Sequence, residues 1–201
     1  MGIRADARRP GGCALIAYEH VAVGFSMVLS LGVVRLLEGL RPALVPGRRY
    51  WVHALWVFQK LLNQAFNWWI FGTLREGIDW NVVSFLWVLL IPALLFLQAT
   101  ALVTSDPSAV ASWRNHFFEI RRWFFSVDVV LLTHSVVTSS LYRDVPLLHP
   151  FRLLQGAGLT ISVLGATSAS SRLHAVLAPL AIVLQSVGLG SLFFRPEGLV
   201  V

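Results

Sequence analysis

Long apolar runs recur along the whole chain, and they constrain its fold more than any other feature. A helix needs about 20 mostly apolar residues to cross a bilayer. Six such runs are predicted as spans, at residues 14–34, 50–71, 82–103, 123–141, 147–167 and 173–194. Only helices and closed barrels satisfy their backbone polar groups within lipid. Because barrel strands alternate in polarity and these runs do not, we predict an all-α integral membrane helical bundle of about six transmembrane helices.

Composition agrees with a membrane protein. Only 13% of the residues are charged, whereas soluble domains carry about 25%, and the mean hydropathy is +0.70. No linker divides the chain, so residues 1–201 are predicted to form a single transmembrane domain. The fifth run ends in the small, polar stretch "GATSASS", and a bundle of five spans is therefore the alternative.

The net charge of +6 comes almost wholly from arginines near the ends of the apolar runs, as membrane topology favours. No block of basic residues marks a nucleic-acid arm. The predicted partners are therefore the lipid bilayer and either a second copy of the chain or another membrane protein. The basic residues divide almost evenly between the two sides. The pairs Arg48–Arg49 and Arg121–Arg122 lie close to helix ends, which favours their side as the cytoplasmic one.

The second run, "YWVHALWVFQKLLNQAFNWWIF", carries polar residues along one face. His53, Trp56, Lys60, Asn63 and Asn67 follow one another at spacings of +3, +4, +3 and +4, which keeps them on one side of a helix. Lys60 lies near the middle of the run. An unpaired charge at that depth costs at least about 2.5 kcal/mol, so we expect Lys60 to face the bundle and to have a partner.

Two acidic residues lie within other runs. Counted from the same side of the membrane, Asp128 lies slightly shallower than Lys60 and His134 about level with it. Asp128 is therefore the predicted direct partner of Lys60. The first run carries an acid followed by small residues, which let helices approach closely. We expect this stripe to pack against the Lys60 face, with its acid near Asn67 or Gln64; it consists of Glu19, Ala22, Ser26 and Ser30.

These residues are the candidates for function, because ionisable groups within a membrane are often functional whereas neutral polar groups often only hold helices together. The favoured interpretation is a non-enzymatic membrane subunit or sensor. The alternative is a small oligomeric channel or transporter for protons, ions or a small polar solute. The candidates are Lys60, Asp128, Glu19, His134, Asn63, Asn67 and His53.

Catalytic and cofactor motifs are not evident. The chain has one cysteine, no HExxH zinc motif, no GxSxG elbow and no P-loop. We therefore predict no catalytic residue, no metal and no cofactor. A b-type haem needs two histidines at matching depth, and His53 with His174 or His20 with His149 would be the pairs. Most of these histidines lie at span ends, so a haem-binding or other membrane enzyme is the third interpretation.

Four stretches carry a resemblance: "LGVVRLLEGL", "YWVHALWVFQ", "FNWWIF" and "RRWFF". Together they resemble a group of small multi-pass bacterial membrane proteins that have no assigned function, over roughly the first two thirds of the chain. The resemblance implies a location in the bacterial inner membrane and about six helices. It implies no catalytic residue.

Overall fold

A computed structural model describes residues 11–47, 49–72, 78–143, 145–146 and 148–193 of the chain. These residues form helices and connecting turns, with no strand in those ranges. The predicted all-α fold and the number of helices are confirmed. Arg4, Arg8, Arg9 and Arg48, which count among the basic residues on the two sides of the membrane, lie outside the described residues. The helices are α1 Gly11–Ala43, α2 Trp51–Phe71, α3 Val82–Leu102, α4 Trp113–Arg143, α5 Pro150–Thr167 and α6 Ser171–Phe193.

Four of these helices are long and apolar enough to cross a membrane. They are α1, α3, α4 and α6, within Tyr18–Arg41, Val82–Leu102, Trp113–Tyr142 and Ser171–Gly190. Their outer faces expose large apolar side chains, such as Val23, Met27 and Leu31 on α1, which suits contact with lipid. The chain is therefore a membrane protein. Helices α2 and α5 carry more polar and small residues and are not among the four.

The helices differ from the predicted runs mainly at their ends. Helix α1 continues to Ala43 rather than stopping near residue 34. Its charged residues do not end it, because Arg35 and Glu38 pair across one turn at 3.4 Å. The chain turns instead at Gly47, whose φ of 87° favours glycine. Helix α4 begins at Trp113 rather than near residue 123, since no proline or glycine interrupts the sequence between them.

Five helices form a ring around the interior of the bundle. Helix α2 packs on α6, α6 on α5, α5 on α4, α4 on α3, and α3 again on α2. Helix α1 lies outside this ring, against α3 and α2. The backbones of α2 and α4 come close at few points, so side chains that point inward from α2, α4, α5 and α6 face a shared interior.

Aromatic side chains pack together at one end of that interior. Trp56 packs edge-on against Phe124 and Phe125, with ring centroids 5.7 and 5.0 Å apart. All three side chains are buried. Phe125 also lies directly on Gly165 of α5, where an added Cβ would come within 2.6 Å of the ring. This aromatic layer closes the end of the bundle at which α2, α4 and α6 begin.

Candidate functional site

Lys60 and Asp128 form a buried ion pair near the middle of the bundle. The Lys60 Nζ donates a hydrogen bond to Asp128 Oδ1 at 2.6 Å. Lys60 is 2% exposed and Asp128 7% exposed. Asp128 therefore occupies the position that the depth comparison predicts for the partner of Lys60. The pair joins α2 to α4 across the interior, beside the contact of Trp56 with Phe124 and Phe125.

The carboxylate of Asp128 accepts two further hydrogen bonds. Gln98 of α3 donates its Nε2 to Oδ1 at 2.5 Å, and Ser162 of α5 donates its hydroxyl to Oδ2 at 2.7 Å. Three different helices thus supply donors to one buried carboxylate. Hydrogen bonds to a charged acceptor are stronger than those between neutral groups, so Asp128 stabilises the junction of α2, α3, α4 and α5.

A cavity of about 180 Å³ opens beside this pair, between α2, α4, α5 and α6. Its deep end is lined by Trp56, Lys60, Asp128, Ser162 and Ala181. From there it runs toward the end of the bundle where α2 and α4 finish and α5 begins. On α2 the lining extends to Ile70; at 1.5 Å per residue, this is about 21 Å from Trp56.

The cavity ends at the ion pair. Beyond it lies the aromatic layer, where Phe124 and Phe125 are fully buried and pack against each other with ring centroids 4.8 Å apart. Ala178, one turn before Ala181 on α6, is fully buried as well. We call it a blind cavity: its described lining extends from the ion pair in one direction, and packed side chains separate the pair from the end of the bundle at which α2, α4 and α6 begin.

Amide side chains line the α2 and α6 walls. Asn67 donates through Nδ2 to the backbone oxygen of Asn63 at 2.8 Å and to its Oδ1 at 3.1 Å. Both asparagines are half-buried, and Gln185 faces them from α6 among the lining residues. The α5 and α6 walls add apolar side chains, among them Leu154, Ile161 and Leu184, and the α4 wall adds Leu131 beside the polar residues His134, Ser135, Thr138 and Ser139. The amides of α2 and α6 therefore form a polar seam in a cavity whose other lining is mixed.

Two predicted site residues are held by backbone carbonyls. His134 lines the cavity. Its Nε2 donates to the carbonyl oxygen of Trp87 at 3.0 Å, and its ring stacks on that tryptophan with centroids 4.3 Å apart. His53 lies outside the cavity lining; its Nε2 donates to the carbonyl oxygen of Leu102 at 3.0 Å. His53 therefore provides a hydrogen bond to a backbone carbonyl at the C-terminal end of α3 and takes no part in the Lys60 cluster.

The expected packing of the Glu19 stripe against the Lys60 face was wrong. Glu19 is exposed, and α1 lies outside the ring of helices that encloses the cavity. The hydroxyls of Ser26 and Ser30 turn back to carbonyl oxygens of their own helix, at Ala22 and Ser26. Helix α1 buries a different face, which includes Val21, Phe25 and Leu29, because apolar packing on α3 outweighs the pairing of small polar residues.

Sequence reasoning missed three residues of the site. Gln98 gave the clearest signal, because it is an isolated amide within the apolar stretch "LLFLQATAL". Ser162 gave none, since it lies among several similar small residues. Arg152 was counted only as a residue near a helix end. Its guanidinium donates to Ser139 Oγ at 2.7 Å and to the carbonyl oxygen of Val136 at 2.8 Å, which fixes the start of α5 to the last turns of α4.

The histidine pairs do not form a metal site in the described part of the chain. The His53 and His174 side chains both pack around Phe117, with ring centroids 6.5 and 5.1 Å from it. Each Nε2 is hydrogen-bonded to a carbonyl oxygen, that of Leu102 for His53 and that of Ser168 for His174. Among the described residues, no group of three or more histidine, cysteine or acidic side chains is placed to hold a metal ion.

Comparisons with known proteins found no match to this chain among protein families, curated proteins or solved structures.

Proposed function

We propose that this membrane protein is a non-enzymatic sensor or subunit that binds a small ligand in the blind cavity, with the Lys60–Asp128 pair at its deep end. One observation carries the proposal: the described lining of the cavity extends from the level of Ile70 to a buried ion pair and stops there. Pockets that bind small molecules are concave and mostly apolar, with a few placed polar groups. This cavity matches that description.

The same observation favours a binding site over a channel. A pathway for ions or solutes needs access to its central site from both sides, at least alternately. Here Trp56, Phe124 and Phe125 fill the interior on the far side of the pair. Among the described residues that line the cavity, Asp128 is the one acidic side chain, so none of the others is an acid that could relay a proton onward. Transport is therefore the second candidate.

The bacterial inner membrane is the proposed location. An apolar helical bundle is the type of protein that this membrane holds, and the four quoted stretches resemble small bacterial membrane proteins. A sensor or subunit also needs a partner to act on. We propose a second copy of the chain or another membrane protein, in contact with the outer apolar faces of the helices.

Thiol labelling from each side of the membrane tests the proposal. The single native cysteine is first removed as Cys13→Ser, and one new cysteine is then introduced at a time. Ser135→Cys lines the cavity, Ala178→Cys lies in the packed region beyond the pair, and Ser108→Cys in the α3–α4 connection serves as an exposed control. A membrane-impermeant maleimide is applied to sealed vesicles of both orientations.

We expect position 135 to react from one side only, opposite to the side that labels position 108, and position 178 to react from neither. Labelling of position 178, or of position 135 from both sides, would support a transport pathway and contradict the binding site. An unreactive position 135 would mean that the cavity is not open to solutes, and this too would overturn the proposal.

A further inference from the structure

We infer that the ligand is an uncharged amphiphile with a hydroxyl head and an apolar chain, bound with its oxygen on the Lys60 ammonium. This inference rests on the proposed function and names the chemical class of its ligand. The observations that carry it are the unused donors of Lys60, the net charge of the cavity wall, the amide seam and the apolar walls.

The Lys60 ammonium has hydrogen-bonding capacity to spare. An ammonium carries three N–H donors, and in the described structure Asp128 Oδ1 is the one acceptor within hydrogen-bond distance of Nζ. The other close neighbour is the ring of Phe124, whose centroid lies 5.2 Å from Nζ. Lys60 lines the cavity. A ligand oxygen atom at the deep end can therefore accept a hydrogen bond from one of the remaining N–H groups.

The charge of the cavity wall favours an uncharged ligand. Among the described residues that line the cavity, Lys60 and Asp128 carry opposite formal charges that cancel each other, and with a neutral imidazole at His134 this lining has no net charge. A carboxylate ligand would add a second negative charge close to Asp128, and an ammonium ligand would lie close to Lys60. In a poorly hydrated interior an uncompensated charge costs several kcal/mol, whereas an uncharged oxygen acceptor adds no such cost.

The amide side chains of the polar seam favour a ligand head group that both donates and accepts hydrogen bonds. Asn63, Asn67 and Gln185 offer amide oxygens as well as N–H donors, and Gln185 makes no hydrogen bond to another described residue. A hydroxyl accepts from Lys60 and donates to one of these amide oxygens at the same time. A ketone or ether oxygen would only accept, and would leave that amide oxygen unpaired.

The apolar walls accommodate the rest of the molecule. Phe66 and Ile70 on α2, Leu154 on α5 and Leu184 on α6 line the cavity on the way out from Lys60. Burying apolar surface contributes roughly 25 cal/mol per Å², so these side chains favour an alkyl chain. The hydroxyls of Ser135, Thr138 and Ser139 on the α4 wall already make hydrogen bonds within the protein. A medium-chain alcohol, such as octanol, therefore represents the ligand class as a probe.

The chain offers a direct readout, because Lys60 is its only lysine. Growth on ¹³Cε-labelled lysine gives one side-chain NMR signal from the full protein in lipid nanodiscs. Octanol is titrated against three matched probes: octane, octanoate and octyltrimethylammonium. We expect a saturable shift of the Lys60 signal with octanol and little shift with the others. Asn63→Leu, which removes one amide of the seam, should weaken the apparent octanol affinity about tenfold.

The outcomes separate the ligand class from the proposed function. A shift with octanoate or with the cationic probe but not with octanol would overturn the uncharged class and leave a binding cavity. Equal shifts with octane and octanol would overturn the role of the hydroxyl. If no probe shifts the signal while Ser135→Cys is labelled from one side, the ligand class is wrong and the open cavity stands. Without that labelling, the proposed function itself fails.

Discussion

Removing one charge of the Lys60–Asp128 pair should have opposite effects on stability, depending on whether the other charge is present. Lys60→Met alone should destabilise the protein, because the buried Asp128 carboxyl group loses its ammonium partner and keeps only the donors of Gln98 and Ser162. In an Asp128→Leu background, the same Lys60→Met change should stabilise the protein, since it removes an ammonium that has lost its anion.

The magnitudes follow from burial and hydrogen bonding. Breaking a buried ion pair by removing one partner costs about 3–5 kcal/mol. We expect Lys60→Met near the lower value, about 3 kcal/mol, because two donors still stabilise the carboxylate. Asp128→Leu should lie near the upper value, about 5 kcal/mol, because it strands the ammonium together with the Gln98 amide. The double variant should be more stable than Asp128→Leu alone by at least about 1 kcal/mol.

Equilibrium unfolding in mixed micelles, followed by tryptophan fluorescence, measures these free energies. The exposed pair Arg35–Glu38, with its atoms 3.4 Å apart, provides the matched control. Exposed pairs contribute about 0–1 kcal/mol, so Arg35→Met should change stability little. If Lys60→Met destabilises the protein equally with and without Asp128, the two charges do not stabilise each other and our reasoning about the pair is refuted.

Two further predictions concern the packing around the site. Gly165→Ala should lower the free energy of unfolding by about 1–3 kcal/mol, because the added Cβ would meet the Phe125 ring. Gly156→Ala on the same helix is the control, since its added Cβ meets no atom within 4 Å. The same unfolding assay should find this control neutral or stabilising. Arg152→Gln should speed amide hydrogen exchange at the end of α4, because the hydrogen bonds from the guanidinium to Ser139 and the neighbouring carbonyls are lost. Unchanged exchange there would show that Arg152 does not hold the start of α5 against the end of α4.

Periodicity and depth explain why part of the site could be predicted. The spacing of Lys60 relative to Trp56 and Asn63 places them on one face of any helix, and depth along a helix follows from counting residues. Both rules are local, and together they indicated Asp128 as a partner. They do not say which helices are neighbours. For that reason the prediction for Glu19, the other intramembrane acid, was wrong. Its stripe was expected to pack on α2, but α1 does not present that face to α2.

The sequence by itself determined that this chain forms apolar helices, approximately where they lie, and that a buried lysine must find an anion. These conclusions depend on local hydrophobicity and on the cost of an unpaired charge, which hold in any packing arrangement. Only the tertiary structure decided that Gln98 and Ser162 complete the shell of Asp128, that α1 stays outside the ring, and that aromatic side chains close the cavity behind Lys60. Those features depend on which helix faces meet, and residues far apart in the chain settle that jointly through packing.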